Sequence, residues 1–145
     1  MSAGHGHGGP PGPAHRQEVA DGVWAHLQPD GSWWLNNAGF LVGGGGVVVV
    51  DTAATAARTA ALRASIAQVT GLPVRTLVDT HHHGDHTFGN AAFPEATIVA
   101  HEAARRELLA AGGPPPDGIW TPVEWGRIVP TAPQLTFSDG VDLWV

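Results

Sequence analysis

From Thr80 to His86 the chain reads Thr-His-His-His-Gly-Asp-His, directly after the apolar run of residues 74–78. Four of the nine histidines, His81, His82, His83 and His86, fall in this stretch, with Asp85 among them. Imidazole and carboxylate suit zinc, iron or manganese, and a chain without cysteine has no thiolate to offer a metal. In an extended segment side chains alternate, so His81 and His83 point one way and His82 the other. Gly84 predicts a sharp turn, because glycine adopts dihedrals that other residues avoid. That turn delivers Asp85 and His86 to a neighbouring position, and the spacing reads as two ligand pairs. The bland alternative is a polar or pH-sensitive surface loop that happens to be rich in histidine.

The elements around this loop follow from pattern. Residues 1–17 are Gly, Pro, His and Ala with little to bury, the composition of a disordered tail, in which His5 and His7 lack the fixed geometry of a site. Residues 18–28 alternate as one strand, residues 29–31 (Pro-Asp-Gly) turn, and residues 33–42 form a second strand. Residues 43–46, four glycines, join two strand-like runs without the Lys-Ser/Thr ending of a phosphate loop, and so predict a tight connection. Residues 47–50, four valines, predict a strand buried on both faces. A helix to about residue 70 follows, with Leu62, Ile66 and Val69 as its apolar stripe. Residues 74–78 are the strand that hands over to the histidines, so the candidate ligands sit just past a strand end. Residues 97–100 predict another strand and 101–111 a helix with Leu108 and Leu109 inward. Residues 112–116 stop that helix, and residues 117–133 are irregular and carry Trp120 and Trp125. Residues 134–137 and 141–145 then predict a hairpin across Ser138-Asp139-Gly140.

Composition narrows the function classes. A length of 145 residues suits one domain, and an apolar share of 43% supports a packed core. A formal charge of −6 with no Lys/Arg cluster argues against nucleic acid or an anionic membrane as partner. No apolar run approaches the roughly 20 residues of a membrane-spanning helix. The absence of cysteine and of a hydrophobic signal core predicts a cytoplasmic protein. Homo-oligomerisation is left open.

The pattern His81-x-His83-x-Asp85-His86 resembles the metal signature of the metallo-β-lactamase superfamily. The valine run ending in Asp51-Thr52, Gly89-Asn90 downstream, and residues 96–100 followed by His101 extend the likeness over residues 18–145. It implies an α/β fold, the N-terminal half of an αββα sandwich plus the first strands of the second half. It implies two zinc ions, His81 and His83 on one and Asp85 and His86 on the other, with Asp85 also placed for catalysis by orienting water or moving a proton. The family's remaining ligands, a third histidine, a bridging aspartate and a final histidine, lie C-terminal to the loop. No histidine follows His101, which resembles a structural position beside the sheet, so the domain reads as incomplete at its C-terminus.

Asp51 reads either as an acceptor orienting the histidine loop or as a plain helix cap. Thr80 reads as fixing the loop by a hydroxyl bond to backbone, and Asp79 as a solvated or turn residue. Within the superfamily, residues 36–39, 81–90 and 120–133 resemble the actinorhodin-type aromatic polyketide cyclases. That likeness implies a small-molecule substrate and an intramolecular aldol condensation with dehydration, with Trp33, Trp34, Trp120 and Trp125 lining a flat pocket. The alternatives are a metallohydrolase of an ester, thioester, lactone or β-lactam, and a non-catalytic fragment or subunit holding half a metal site.

Overall fold

The computed structural model describes residues 13–29, 34–116 and 123–145. Seven strands form one sheet in sequence order. Strands β1 (His15–Ala20), β2 (Val23–Leu27), β3 (Ala38–Val42) and β4 (Val47–Val50) run as an antiparallel meander. From β4 onward β5 (Val74–Val78), β6 (Thr97–His101) and β7 (Leu135–Phe137) pair in parallel. Helix α1 (Ala56–Val69) is the crossover from β4 to β5; α2 (Gly84–Thr87) and a 3-10 turn at Asn90–Ala92 follow β5; α3 (Glu102–Ala111) follows β6.

The core forms where α1 lays Leu62 and Ile66 on the sheet, against Phe40, Val47, Val49, Leu77, Phe93 and Ile98. Val48 is buried too, at 7% exposure, so the valine run is covered on both faces as its composition predicts. Parallel pairing of Val50 with Val78 sets the strand ends side by side, and the Asp51 amide donates to the Val78 carbonyl at 2.8 Å. The register therefore brings the residues that follow β4 and β5 together. No helix among the described residues is long and apolar enough to cross a membrane.

Several sequence expectations need correction. The stretch read as one strand from 18 to 28 is two strands. Asp21-Gly22 turns between them, with Gly22 at φ 70° and its amide bonded to the Glu18 carboxylate. Strand β1 also begins at His15, inside the segment read as tail; residues 1–12, with His5 and His7, lie outside the described residues. The next strand starts at Ala38, not 33, because Asn36 and Asn37 take part in local bonds. Asn36 Nδ2 donates to the Thr52 carbonyl, and Asn37 Oδ1 accepts from the Gln28 amide.

Helix α1 is capped by Thr55, whose hydroxyl accepts from the Arg58 amide, and Asp51 and Thr52 lie outside it. Leu108 is buried, but Leu109 is 59% exposed. At the C-terminal end β7 pairs in parallel with β6, and residues 141–145 form no strand, so the expected hairpin is not formed. The apolar residues there, Val141, Leu143, Trp144 and Val145, are exposed and gain no burial from pairing.

Candidate metal centre

Asp51 is the point from which the histidine loop is held. It is 5% exposed and sits at φ 63°, a left-handed conformation that aspartate tolerates better than most residues. Its Oδ1 accepts from the Thr80 amide and its Oδ2 from the Thr80 hydroxyl, both at 2.8 Å. Oδ2 also takes His86 Nδ1 at 2.8 Å. Of the two readings of Asp51, orientation of the loop is the one realised; the cap belongs to Thr55.

These bonds fix the imidazoles. A carboxylate only accepts, so His86 donates through Nδ1–H to Asp51, which leaves Nε2 facing Asp85. The Thr80 hydroxyl gives its hydrogen to Asp51. His81 Nδ1, 3.0 Å from the Thr80 oxygen, is then the donor there and His81 Nε2 the free base. The Thr80 hydroxyl thus bonds the side chains of Asp51 and His81, not the backbone as expected. The ring centres of His81 and His83 lie 4.8 Å apart and those of His81 and His86 4.2 Å apart. His82 stands 6.4 Å from His81 but only 4.6 Å from His83, because residues 80–82 form a bend rather than the extended segment expected, and strict alternation is not kept. Asp85 Oδ2 approaches His86 Nε2 at 3.2 Å.

The electrostatics suit a cation. Burial and the neighbouring His86 and His83 hold His81 below its ordinary pKa, so it is a neutral ligand. For His86 burial opposes charge, but the bonds to Asp51 and Asp85 outweigh it and lift the group to about 9. Asp85 is lowered although burial alone would raise it, because the bond and charge of His86 prevail. A proton shared by His86 and Asp85 therefore stands where a metal ion would meet the same two groups. The donor set fits zinc, with His81, His83, Asp85 and His86 offering nitrogen and oxygen and two Nδ1 atoms tied behind. Among the described residues no three His, Asp or Glu side chains close on one point as a finished site does.

Gly84 is needed for space. Its φ is not positive, and a Cβ there would lie 2.2 Å from Phe88 Cζ. The turn is the short helix α2, in which the His86 amide reaches back to the His83 carbonyl at 3.0 Å. Gly84→Ala is expected to push Phe88 off the loop and cost about 1–3 kcal/mol, the usual range for overpacking. Thermal unfolding checks this. Combined with Phe88→Ala the two costs should add to less than their sum, and strict additivity would refute the steric explanation.

Sequence reasoning missed Asp79 and Asn90. Asp79 is 3% exposed, not solvated, and burial pushes its carboxyl up to about 7, against the bond from Asn90 and helped by the charge of Asp51. Asn90 Nδ2 donates to Asp79 Oδ2 at 2.9 Å and to the Thr131 carbonyl at 3.1 Å. Thr52 completes the layer: its amide and hydroxyl both donate to the His86 carbonyl, at 2.8 and 2.9 Å. The available signal was position, since Asp79 directly follows an apolar strand whose neighbours are strands. His101 is structural: Nε2 donates to the Ser138 carbonyl and Nδ1 accepts from the Ala103 amide, capping α3.

Of the four tryptophans proposed for a pocket, Trp33 and Trp120 lie outside the described residues. Trp34 stacks on Phe88 at 6.0 Å between ring centres and meets Trp125 edge-on at 5.3 Å. Trp34 and Phe88 line a cleft of about 690 Å³ beside the loop, together with His82, His83, Asp85 and Pro115. Trp125 buttresses Trp34 from behind, and its carbonyl accepts from the Ala56 amide at the start of α1.

Comparison with known proteins bears on the family and the fold. A family model described as the metallo-beta-lactamase superfamily matches residues 31–145. Among solved structures, a metallo-beta-lactamase from Erythrobacter litoralis is 27% identical, with a TM-score of 0.58, over 80% of this chain and 54% of its own. One from Pseudomonas aeruginosa, in a mono-zinc form, is 24% identical with a TM-score of 0.58, over 68% of this chain and 46% of its own. One from Pontibacter korlensis shares the fold at a TM-score of 0.71 and 17% identity, over 92% of this chain and 56% of its own. The chain spans about half the length of these structures.

Proposed function

Because the chain belongs to the metallo-beta-lactamase superfamily, we propose that its histidine loop is the metal-binding part of a zinc enzyme acting on a carbonyl of a bulky apolar substrate. The observation that carries this reading is the pair of imidazoles, His81 and His86, whose Nδ1 atoms are held by Thr80 and Asp51. Their Nε2 atoms are the nitrogens left for a metal, which on His86 would replace the proton shared with Asp85. A bound zinc ion supplies Lewis acidity toward a carbonyl and eases the ionisation of water. The chain's own residues do the rest. Asp51 and Thr80 keep the rings in one tautomer, Asp85 is placed to orient water or carry a proton, and Trp34 with Phe88 seats the apolar body.

Two reactions use such a site. Ring closure of an aromatic polyketide by aldol condensation and dehydration is favoured by the aromatic wall, since a flat substrate stacks on Trp34. Hydrolysis of an ester, thioester, lactone or β-lactam is favoured by the likeness to proteins named as metallo-beta-lactamases. The zinc-loaded chain is to be given a thioester, a lactam and an aromatic polyketone in parallel. Hydrolysis that disappears in a His81→Ala/His83→Ala variant would overturn the cyclase; dehydrative ring closure with the same dependence would overturn the hydrolase. A full-length chain that neither retains zinc nor turns over any of the three would leave the fragment or subunit reading standing.

A further inference from the structure

A second cavity, of about 490 Å³, lies between the β1–β2 hairpin and α1 and shares no lining residue with the cleft at the histidine loop. His15, Arg16, Trp24, His26, Ser65 and Gln68 line it, and small alanines of α1 leave the room. His26 is 1% exposed, and its Nδ1 lies 2.9 Å from the hydroxyl of Ser65, which is itself 8% exposed. Ser65 has no other side-chain hydrogen bond among the described residues, and we assign its hydrogen to Nδ1 on that ground. His26 Nε2 is then an N–H donor, buried and without a partner. Such a group is destabilising until an oxygen meets it. Burial and the nearby His15 hold His26 below its ordinary pKa, which keeps that ring neutral.

The surroundings select the kind of oxygen. In a chain of formal charge −6, no Asp or Glu lines this cavity. Arg16 pairs with His26 in the strand register and reaches across to the Gln68 carbonyl oxygen. A guanidinium has five N–H donors, so that bond leaves others for a ligand. Trp24 lies parallel to Phe40, ring planes 4° apart, and makes a fixed flat wall.

We propose that this cavity binds a small organic oxyanion, a carboxylate or phosphate on an apolar body, between Arg16, His26 Nε2–H and the face of Trp24. Opening of the Arg16–Gln68 bond admits the anion, and the apolar body rests on Trp24 and the alanines of α1. The site is independent of the metal centre and of the reaction proposed there.

The test is a titration of the full-length metal-free chain, with chelator present, by inorganic phosphate and separately by benzoate. The imidazole resonances of His26 and the indole N–H of Trp24 are followed by NMR. Saturable shifts at both residues are expected, and Arg16→Gln should weaken binding about tenfold or more, as loss of one charge-assisted bond does. The response should persist in the His81→Ala/His83→Ala variant, which separates it from the metal centre. Saturation by both anions supports recognition of the oxyanion itself, and saturation by benzoate alone supports the requirement for an apolar body. Shifts that do not saturate, that are unchanged in Arg16→Gln, or that fall only on residues 81–86 would overturn the proposal.

Discussion

Replacing His81 and His83 together by alanine should remove the zinc that the chain retains while leaving the fold intact. The separation of the two effects follows from where the side chains lie. His83 is exposed and His81 half-buried, and neither belongs to the core built by Leu62, Phe40, Leu77 and their neighbours. His81 has one hydrogen bond, to Thr80, while the backbone of the loop is anchored through Asp51 and Thr52. Stability should therefore move by no more than about 0.5 kcal/mol, the range for surface positions. Metal affinity should fall by more than the roughly 10–100-fold that losing an outer-shell partner costs, because here the ligands themselves go. Metal content is to be measured in a background with His5 and His7 replaced by alanine, so that the N-terminal histidines do not contribute. Equal zinc in the parent and the double variant, with equal thermal unfolding, would show that the loop is not the metal site.

Local pattern carried much of this structure. The valine run gave β4, residues 74–78 are β5 without adjustment, and the Leu62-Ile66 stripe gave the buried face of α1. The density of histidine and aspartate after a strand was enough to nominate the candidate ligands. Hidden from the sequence was whatever depended on register between distant segments. Asp51 reaches Thr80 and His86 only because β4 and β5 pair in parallel with Val50 beside Val78. Asp79 and Asn90 are polar residues whose burial comes from neighbouring strands and from Thr131, forty residues on. Gly84 was legible as a turn but not as the floor under Phe88, since steric contact with a ring is not a local property. The end of the chain misled for a related reason. Residues 141–145 alternate like a strand, yet alternation yields a strand only where a partner edge and a surface to cover are both present.

The largest effect at a residue that would not touch the metal is expected at Asp51. Asp51→Ala leaves the Thr80 amide, the Thr80 hydroxyl and His86 Nδ1 without their acceptor and puts alanine at φ 63°. Roughly 2–4 kcal/mol of stability should go, from unsatisfied donors and left-handed strain together. Zinc affinity should fall about 10–100-fold, because the rings of His81 and His86 lose their orientation. Asp51→Asn separates charge from shape, since asparagine accepts the left-handed conformation and keeps one acceptor oxygen. It should also change the pH dependence of the metal-free protein. Hydrogen bonds to Asp51 and Asp85 hold His86 at about 9 against the cost of burial, compared with 6.5 when free. A raised pKa means that the folded state binds the proton more tightly. Its contribution to stability is full below about 6.5 and is lost as pH rises through about 9. Asparagine weakens that hold, so the parent should exceed Asp51→Asn most at about pH 6, and the gap should narrow by about pH 9.5. Urea unfolding of both metal-free proteins at the two pH values decides the matter. A gap that stays constant would mean that Asp51 acts through shape alone, and that the proton on His86 is not held by its charge.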